Sequence, residues 1–215
     1  MKNVLYKKYI KRCLDFILAL IILPFVLLLI IVMTPIIYIS DSGPIFYRGL
    51  RRGIGGKSFK MFKFRSMYVN SPDIRNQDGS TFNGDNDPRV TKVGKFMRKT
   101  SIDEIPQLLN VLIGDMSFVG PRPTLASKSF DEVEMERRKR YDVRPGITGY
   151  AQAYYRNSIS QKDKFIYDLY YVDHVSFLLD FRIILKTALS VLKHENIYVS
   201  KEKTMVGGNV KGGDL

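Results

Sequence analysis

The stretch FILALIILPFVLLLIIVMTPIIYI, residues 16–39, decides the architecture. Its 24 residues carry no charge, and at ~1.5 Å per residue a helix of that length can cross a bilayer. A cleavable signal peptide is rejected, because the run is too long for a typical signal core and no small-residue cleavage site follows it. Two features oppose a simple span. Pro24 sits inside the run, where it removes a backbone hydrogen bond and kinks the helix. Basic groups flank both ends: Lys2, Lys7, Lys8, Lys11 and Arg12 before the run, and Arg48, Arg51, Arg52, Lys57 and Lys60 after it. The positive-inside rule then keeps both ends on the cytoplasmic side. A re-entrant helix, entering and leaving by the same face, satisfies both facts.

Composition narrows the chemistry. With 215 residues there is room for one domain and a modest core. A net charge of +13 calls for an anionic partner: nucleic acid, lipid head groups or phosphorylated substrates. One cysteine, Cys13, rules out an internal disulfide or a cysteine-built zinc cage. Only His174 and His194 are present, so carboxylates, arginines and lysines must carry any reaction.

Those groups concentrate in SIDEIPQLLNVLIGDMSFVGPRP, residues 101–123. Asp103 and Glu104 are adjacent, Arg98 and Lys99 lie just upstream, and Arg122 stands between two prolines. A carboxylate able to attack or to hold a metal, flanked by guanidinium groups, suits phosphate chemistry. Ser101 and Glu104 also have the spacing of a capping box, which would only fix a helix start. Pro106 opposes that register, since it would fall at the fifth helical position and delete a hydrogen bond. On the residues alone both readings stay open.

Three blocks resemble signatures of one family: SIDEIPQL (101–108), GDMSFVGPRP (114–123) and RPGITG (144–149). They look like the bacterial sugar transferases, the monotopic polyprenyl-phosphate sugar-1-phosphate transferases also called phosphoglycosyl transferases. The likeness runs from the apolar segment to about residue 193. It implies a membrane helix bent at a Ser-Pro pair, which here is Leu23-Pro24. It implies transfer of a sugar-1-phosphate from a UDP-sugar to undecaprenyl phosphate with release of UMP, an early membrane step in capsule, exopolysaccharide or glycoconjugate assembly. Carried over, Asp103 is the nucleophile that forms a phosphosugar-aspartyl intermediate. Glu104 helps hold Mg²⁺ or manage the acceptor's proton, and magnesium commonly binds through one or two carboxylates plus substrate phosphates. Arg98, Arg122 and Lys63 bind phosphate, while Arg144 and Arg156 face the nucleotide.

The remaining chain fits a helix-dominated α+β fold. Residues 44–50 and 57–67 read as a short β-hairpin about the glycine-rich turn at 53–56. Residues 69–88, rich in Asn, Asp, Gly, Ser and Pro, read as a mobile loop; its carboxylates Asp73, Asp78, Asp85 and Asp87 could hold a cation, but a solvated loop is the favoured reading. Residues 90–99 form a short basic amphipathic helix. Residues 131–140, acidic first and basic last, suit a solvated helical face. The tyrosine-rich helix beginning at Ser160 and the helix over 176–193, with Arg182, Lys186, Ser190 and Lys193 on one narrow face, are expected at the membrane–water interface. Three segments follow: 1–40, the re-entrant helix with its basic flank; 41–200, a small catalytic domain with interfacial helices; and 201–215, a disordered tail.

Three function classes compete. A nucleic-acid binder rests on charge alone, and no nucleic-acid-binding signature is present. A membrane-anchored basic interaction protein leaves Asp103, Glu104 and the Pro121-Arg122-Pro123 turn without a role. The transferase uses them all. Its expected place is the cytoplasmic face of the bacterial inner membrane, where a soluble UDP-sugar meets undecaprenyl phosphate held in the bilayer. An oligomer is compatible with this reading.

Overall fold

The computed structural model describes residues 4–74, 82, 84, 86–127, 129–155 and 158–192. Arg156, the loop carboxylates Asp78 and Asp85, and the tail over 201–215 lie outside them.

The apolar run forms α1 (Lys11–Ser40), preceded by a π-helical turn at Tyr6–Ile10. The helix continues through Pro24 and Pro35 as one element. Thr34 Oγ1 donates to the Ile30 carbonyl at 2.7 Å, beside the Ile31 carbonyl whose helical partner Pro35 lacks. By length and composition α1 can cross a membrane. Its buried residues are Lys11, Asp15, Ala19, Val26, Met33 and Ile37, spaced to make one stripe along its length. Opposite them, large apolar side chains are exposed, Phe25 at 73% and Ile31 at 68%.

The hairpin is β1 (Phe46–Arg52) paired antiparallel with β2 (Ser58–Phe64). Gly55 and Gly56 at its turn have φ of +61° and +77°, which glycine adopts without strain. The helix α2 (Lys92–Thr100) starts where Thr91 Oγ1 accepts from Gly94 N at 2.8 Å. It ends at Ser101, whose left-handed φ of 59° starts a 3₁₀ turn at Ile102–Gln107 and then α3 (Leu108–Ile113). No capping box forms: the Ser101 side chain makes no cap bond. Pro106 is accommodated in the 3₁₀ turn instead.

Two pairings were not expected. Short β3 (Ser117–Val119) runs parallel to β5 (Gly146–Thr148), and β4 (Thr124–Leu125) adds to β1 as a third strand. The charged stretch at 131–140 is helical only in α4 (Met135–Arg138), continued by a 3₁₀ turn at Lys139–Asp142. The described residues end with α5 (Tyr150–Tyr154), α6 (Gln161–His174) and α7 (Phe177–Leu192).

The core is built around α1. Ala19 and Val26 pack with Phe59, Met61, Leu108, Val111 and Met116, while Met33 and Ile37 pack with Phe64 and Met97. A buried side chain of this size contributes ~1.5–3 kcal/mol. The polar groups of the stripe are bonded too. Lys11 Nζ reaches Asp180 at 2.7 Å, Asp15 accepts from Phe118 N at 3.1 Å, and Arg12 donates to the Val111 and Leu112 carbonyls. The first helix therefore lies along the domain from end to end.

Helix α7 is turned the same way. Its buried positions include Asp180, Ile183 and Ser190, whereas Phe177, Leu178, Phe181, Ile184, Leu185 and Leu189 are exposed. Ser190, expected on one narrow face with Arg182 and Lys186, is buried and donates to the Ala153 carbonyl at 3.2 Å. Both helices turn a few polar groups toward the protein, Lys11 and Asp15 in α1 and Asp180 and Ser190 in α7, and leave a broad apolar face outward. Such open apolar faces are unlike those of a helix in water.

Candidate active site

Strand β2 and the 3₁₀ turn meet at four charged side chains. Lys63 Nζ lies 2.8 Å from Asp103 Oδ2 and 3.3 Å from Glu104 Oε1. Arg122 donates to the same Glu104 oxygen at 2.8 Å. Asp103 is 2% exposed, while the Arg122 side chain is 53% exposed. The cluster therefore runs from a buried carboxylate to an open guanidinium.

Local structure accounts for this convergence. The turn sets Asp103 and Glu104 against β2. Buried Asn110 on α3 accepts from Phe62 N at 2.8 Å and donates to the Lys60 carbonyl at 3.0 Å, which holds the strand just before Lys63. Arg122 is carried on the turn after β3.

The two carboxylates titrate in opposite senses. Burial pushes Asp103 up; Lys63 opposes this, Glu104 adds to it, and Arg98 opposes it more weakly, with a net rise. Burial acts on Glu104 in the same direction, but Arg122 and then Lys63 outweigh it and hold that carboxyl well below the usual range.

Of the residues read from the sequence, Lys63, Asp103, Glu104 and Arg122 come together. Arg98 flanks them: its Nε donates to Ser66 Oγ at 3.0 Å and its Nη1 is 4.0 Å from Asp87. Asp87 is not a solvated loop acid, because it is buried against Arg89 at 2.7 Å. Arg144 shares no hydrogen bond or ion pair with the cluster among the described residues, and its Nε donates to the Gly114 carbonyl at 2.8 Å.

Asp103 and Glu104 can hold a divalent ion. Their oxygens already converge on one cation, the Lys63 ammonium, so the donor set fits a site completed by phosphate oxygens and water. Among the described residues there is no group of three or more His, Cys, Asp or Glu side chains placed to build an all-protein metal cage.

The family described as "Bacterial sugar transferase" matches this chain over residues 6–194. The chain belongs to the bacterial sugar transferase family. This sugar transferase is 40% identical over 205 residues to the uncharacterized sugar transferase EpsL of Bacillus subtilis, covering 94% of this chain and 98% of that protein. It is 42% identical over 166 residues to the UDP-glucose:undecaprenyl-phosphate glucose-1-phosphate transferase of Xanthomonas campestris pv. campestris. That match covers 74% of this chain and 34% of the relative. A UDP-N-acetylgalactosamine-undecaprenyl-phosphate N-acetylgalactosaminephosphotransferase of Aeromonas hydrophila is 39% identical over 189 residues, covering 86% and 44%. The chain thus spans nearly all of the first relative and under half of the other two.

Around the sugar transferase cluster stands a layer the sequence did not disclose. Arg140 pairs with buried Asp168 at 2.6 Å and donates to the Arg122 carbonyl at 2.7 Å. The stretch 131–140 is mostly exposed, as a solvated face would be, but Arg140 departs from it. Packing of the 3₁₀ turn against α6 leaves its side chain only 15% exposed.

Proposed function

We propose that this protein transfers a sugar-1-phosphate from a UDP-sugar to undecaprenyl phosphate, releasing UMP, at the cytoplasmic face of the bacterial inner membrane. The observation that carries the reading is the Lys63–Asp103–Glu104–Arg122 cluster. It brings a carboxylate nucleophile and the cations needed at a phosphate within one hydrogen-bonded group.

In the first step an Asp103 oxygen bonds to the sugar-bearing phosphorus. The bond from that phosphorus to the UMP phosphate oxygen breaks, and its electron pair leaves with UMP. In the second, an oxygen of the acceptor phosphate attacks the same phosphorus and regenerates the Asp103 carboxylate. That acceptor is a monoester with a second pKa near ~6, so it is largely a dianion at neutral pH and needs little help from a base. Raised basicity makes Asp103 the better nucleophile of the two carboxylates once ionised. Lys63 opens its line of attack by moving from Asp103 Oδ2 to a phosphate oxygen. Glu104, held ionised, keeps Lys63 and Arg122 in place. Asp103 and Glu104 would hold Mg²⁺, which when bound neutralises phosphate charge. Arg98 supports the phosphate side, and resemblance alone assigns Arg144 and Arg156 to the nucleotide.

The outward apolar faces of α1 and α7 support a membrane-embedded setting. Because α1 packs on the domain along its whole length, a straight crossing would carry the domain into the bilayer. A helix that dips and returns avoids this.

The test is a single-turnover experiment with a panel of UDP-sugars and detergent-extracted protein. One UDP-sugar without acceptor should give a stoichiometric UMP burst, and Asp103→Asn should abolish it while keeping the wild-type melting temperature. Turnover by the Asn variant above a few per cent of wild type would remove Asp103 from the nucleophile's role.

A further inference from the structure

Arg51 is a guanidinium on the strand paired with β2, and among the described residues it forms no ion pair with a carboxylate. The antiparallel register sets Tyr47 opposite Lys63, Gly49 opposite Met61 and Arg51 opposite Phe59. Opposed residues project from the same face of a sheet, so Tyr47 and Arg51 stand on the face that carries Lys63 to Asp103. Gly49 leaves space between them. A Cβ there would meet the Tyr47 ring at 2.5–2.7 Å, so the ring lies across that glycine. The Tyr47 side chain, lying over Gly49, interacts with the Arg51 guanidinium, which also makes a long 3.4 Å bond to its neighbour's carbonyl, Leu50 O.

Among the described residues no acid forms an ion pair with Arg51. Its charged neighbour is another cation, Arg122. Burial pushes the Arg51 pKa down, the Tyr47 interaction resists, and Arg122 adds to the fall. Arg122 has Glu104 for compensation; among the described residues Arg51 has nothing equivalent. Strand β4 sets Leu125, three residues past Arg122, opposite Arg51; two interacting guanidinium groups, of which Arg122 alone is paired with a carboxylate among the described residues, leave a positive charge that a ligand anion can satisfy.

We propose that Arg51, steadied by Tyr47, is a phosphate-binding residue that forms a two-guanidinium clamp with Arg122. Its ligand is a phosphate monoester next to the phosphorus under attack: either the departing UMP phosphate or the incoming lipid phosphate. The inference rests on the proposed transfer reaction and adds to it a binding group on β1. Arg51 positions substrate, and no bond forms or breaks on it.

The test uses the full chain in detergent with Arg51→Ala, Arg51→Lys and Tyr47→Phe. Three quantities are read: the UMP burst with UDP-sugar alone, inhibition by added UMP, and transfer from the preformed intermediate to undecaprenyl phosphate. If the clamp holds the departing phosphate, Arg51→Ala slows the burst and weakens UMP inhibition roughly ten- to a hundredfold. If it holds the acceptor, the burst is normal and the second step slows by that factor. Either result supports the clamp and identifies its source. Arg51→Lys should recover part of the loss, and Tyr47→Phe should cost roughly two- to tenfold. Should Arg51→Ala fold poorly, the latter two variants, which preserve packing, carry the test. Values within twofold of wild type in all three measurements, with an unchanged melting temperature, overturn the inference. A wild-type protein that gives no burst overturns the aspartyl mechanism instead, and direct UMP binding to wild type and Arg51→Ala still reads the clamp separately.

Discussion

At the scale of single residues, Asp168 is a carboxylate outside the dyad whose environment changes its ordinary behaviour. It is buried behind Arg122, and burial pushes its carboxyl up to about 6 although Arg140, Lys164 and Arg122 all favour its ionised form. An exposed aspartate in the unfolded chain titrates near ~3.9. The folded chain therefore binds the extra proton between those values. The stability from this group is full below about pH 4 and is lost as pH rises through about 6. The difference amounts to roughly 3 kcal/mol. Melting temperature followed from about pH 4 to 6.5 should fall less steeply in Asp168→Asn than in wild type. Parallel curves for the two proteins would show that Asp168 does not titrate in that window. Glu104 behaves oppositely, since Arg122 and Lys63 keep it charged across the same range.

At the scale of elements, the Asn110 bridge decides whether Lys63 is delivered to the dyad. Its amide acts as a short strand partner for β2, pairing Phe62 N and the Lys60 carbonyl. Asn110→Ala leaves both backbone groups without that partner, and buried unpaired groups cost ~1–3 kcal/mol each. Denaturant unfolding should show a loss of about 2–4 kcal/mol, together with a weakened UMP burst because Lys63 is displaced. Full stability in the alanine variant would mean that other contacts set the strand. Asn110 lay between two motif blocks of the sequence, and nothing in its spacing showed this duty. The hairpin was legible, because aromatic alternation and a glycine-rich turn bound it. So were α2 and α6, where Thr91 and Ser160 cap the first turns. The β3–β5 pair was not, as three residues are too few to display a period and their partners lie far apart in the chain. Tyr47 and Arg51 become neighbours of Lys63 only once the register is known. Helix α7 showed its amphipathic pattern, but composition could not say which side would face the protein.

At the scale of the whole molecule, two outward apolar faces and one site define an orientation. Tyr6 meets Phe177 edge-on with ring centroids 6.3 Å apart, so the start of α1 and the start of α7 are joined. A bilayer covering both exposed faces would have the chain enter from one side only. Moving the basic N-terminal flank across hydrocarbon would cost several kcal/mol, a second argument for cytoplasmic placement. The check is a single cysteine at Val4 in a Cys13→Ser background, treated in intact cells with a membrane-impermeant thiol reagent. Protection in intact cells and labelling after the inner membrane is opened is the expected result. Labelling from outside would establish a single crossing and end the re-entrant reading.

Buried Asp180 receives Tyr6, Lys11 and Tyr171 at 2.7 Å each, and Tyr171 also reaches the Val119 carbonyl at 3.0 Å. Lys11 and Asp180 are 169 positions apart. At the usual ~5–20 residues per second of synthesis, on the order of ten to thirty seconds separate their emergence from the ribosome. During that interval α1 can already be held by lipid on its apolar side, while Lys11 still lacks its buried carboxylate. Assembly is thus ordered by translation itself. The nascent protein is anchored early and fastened late, and a chain halted before α7 has an anchor without its latch.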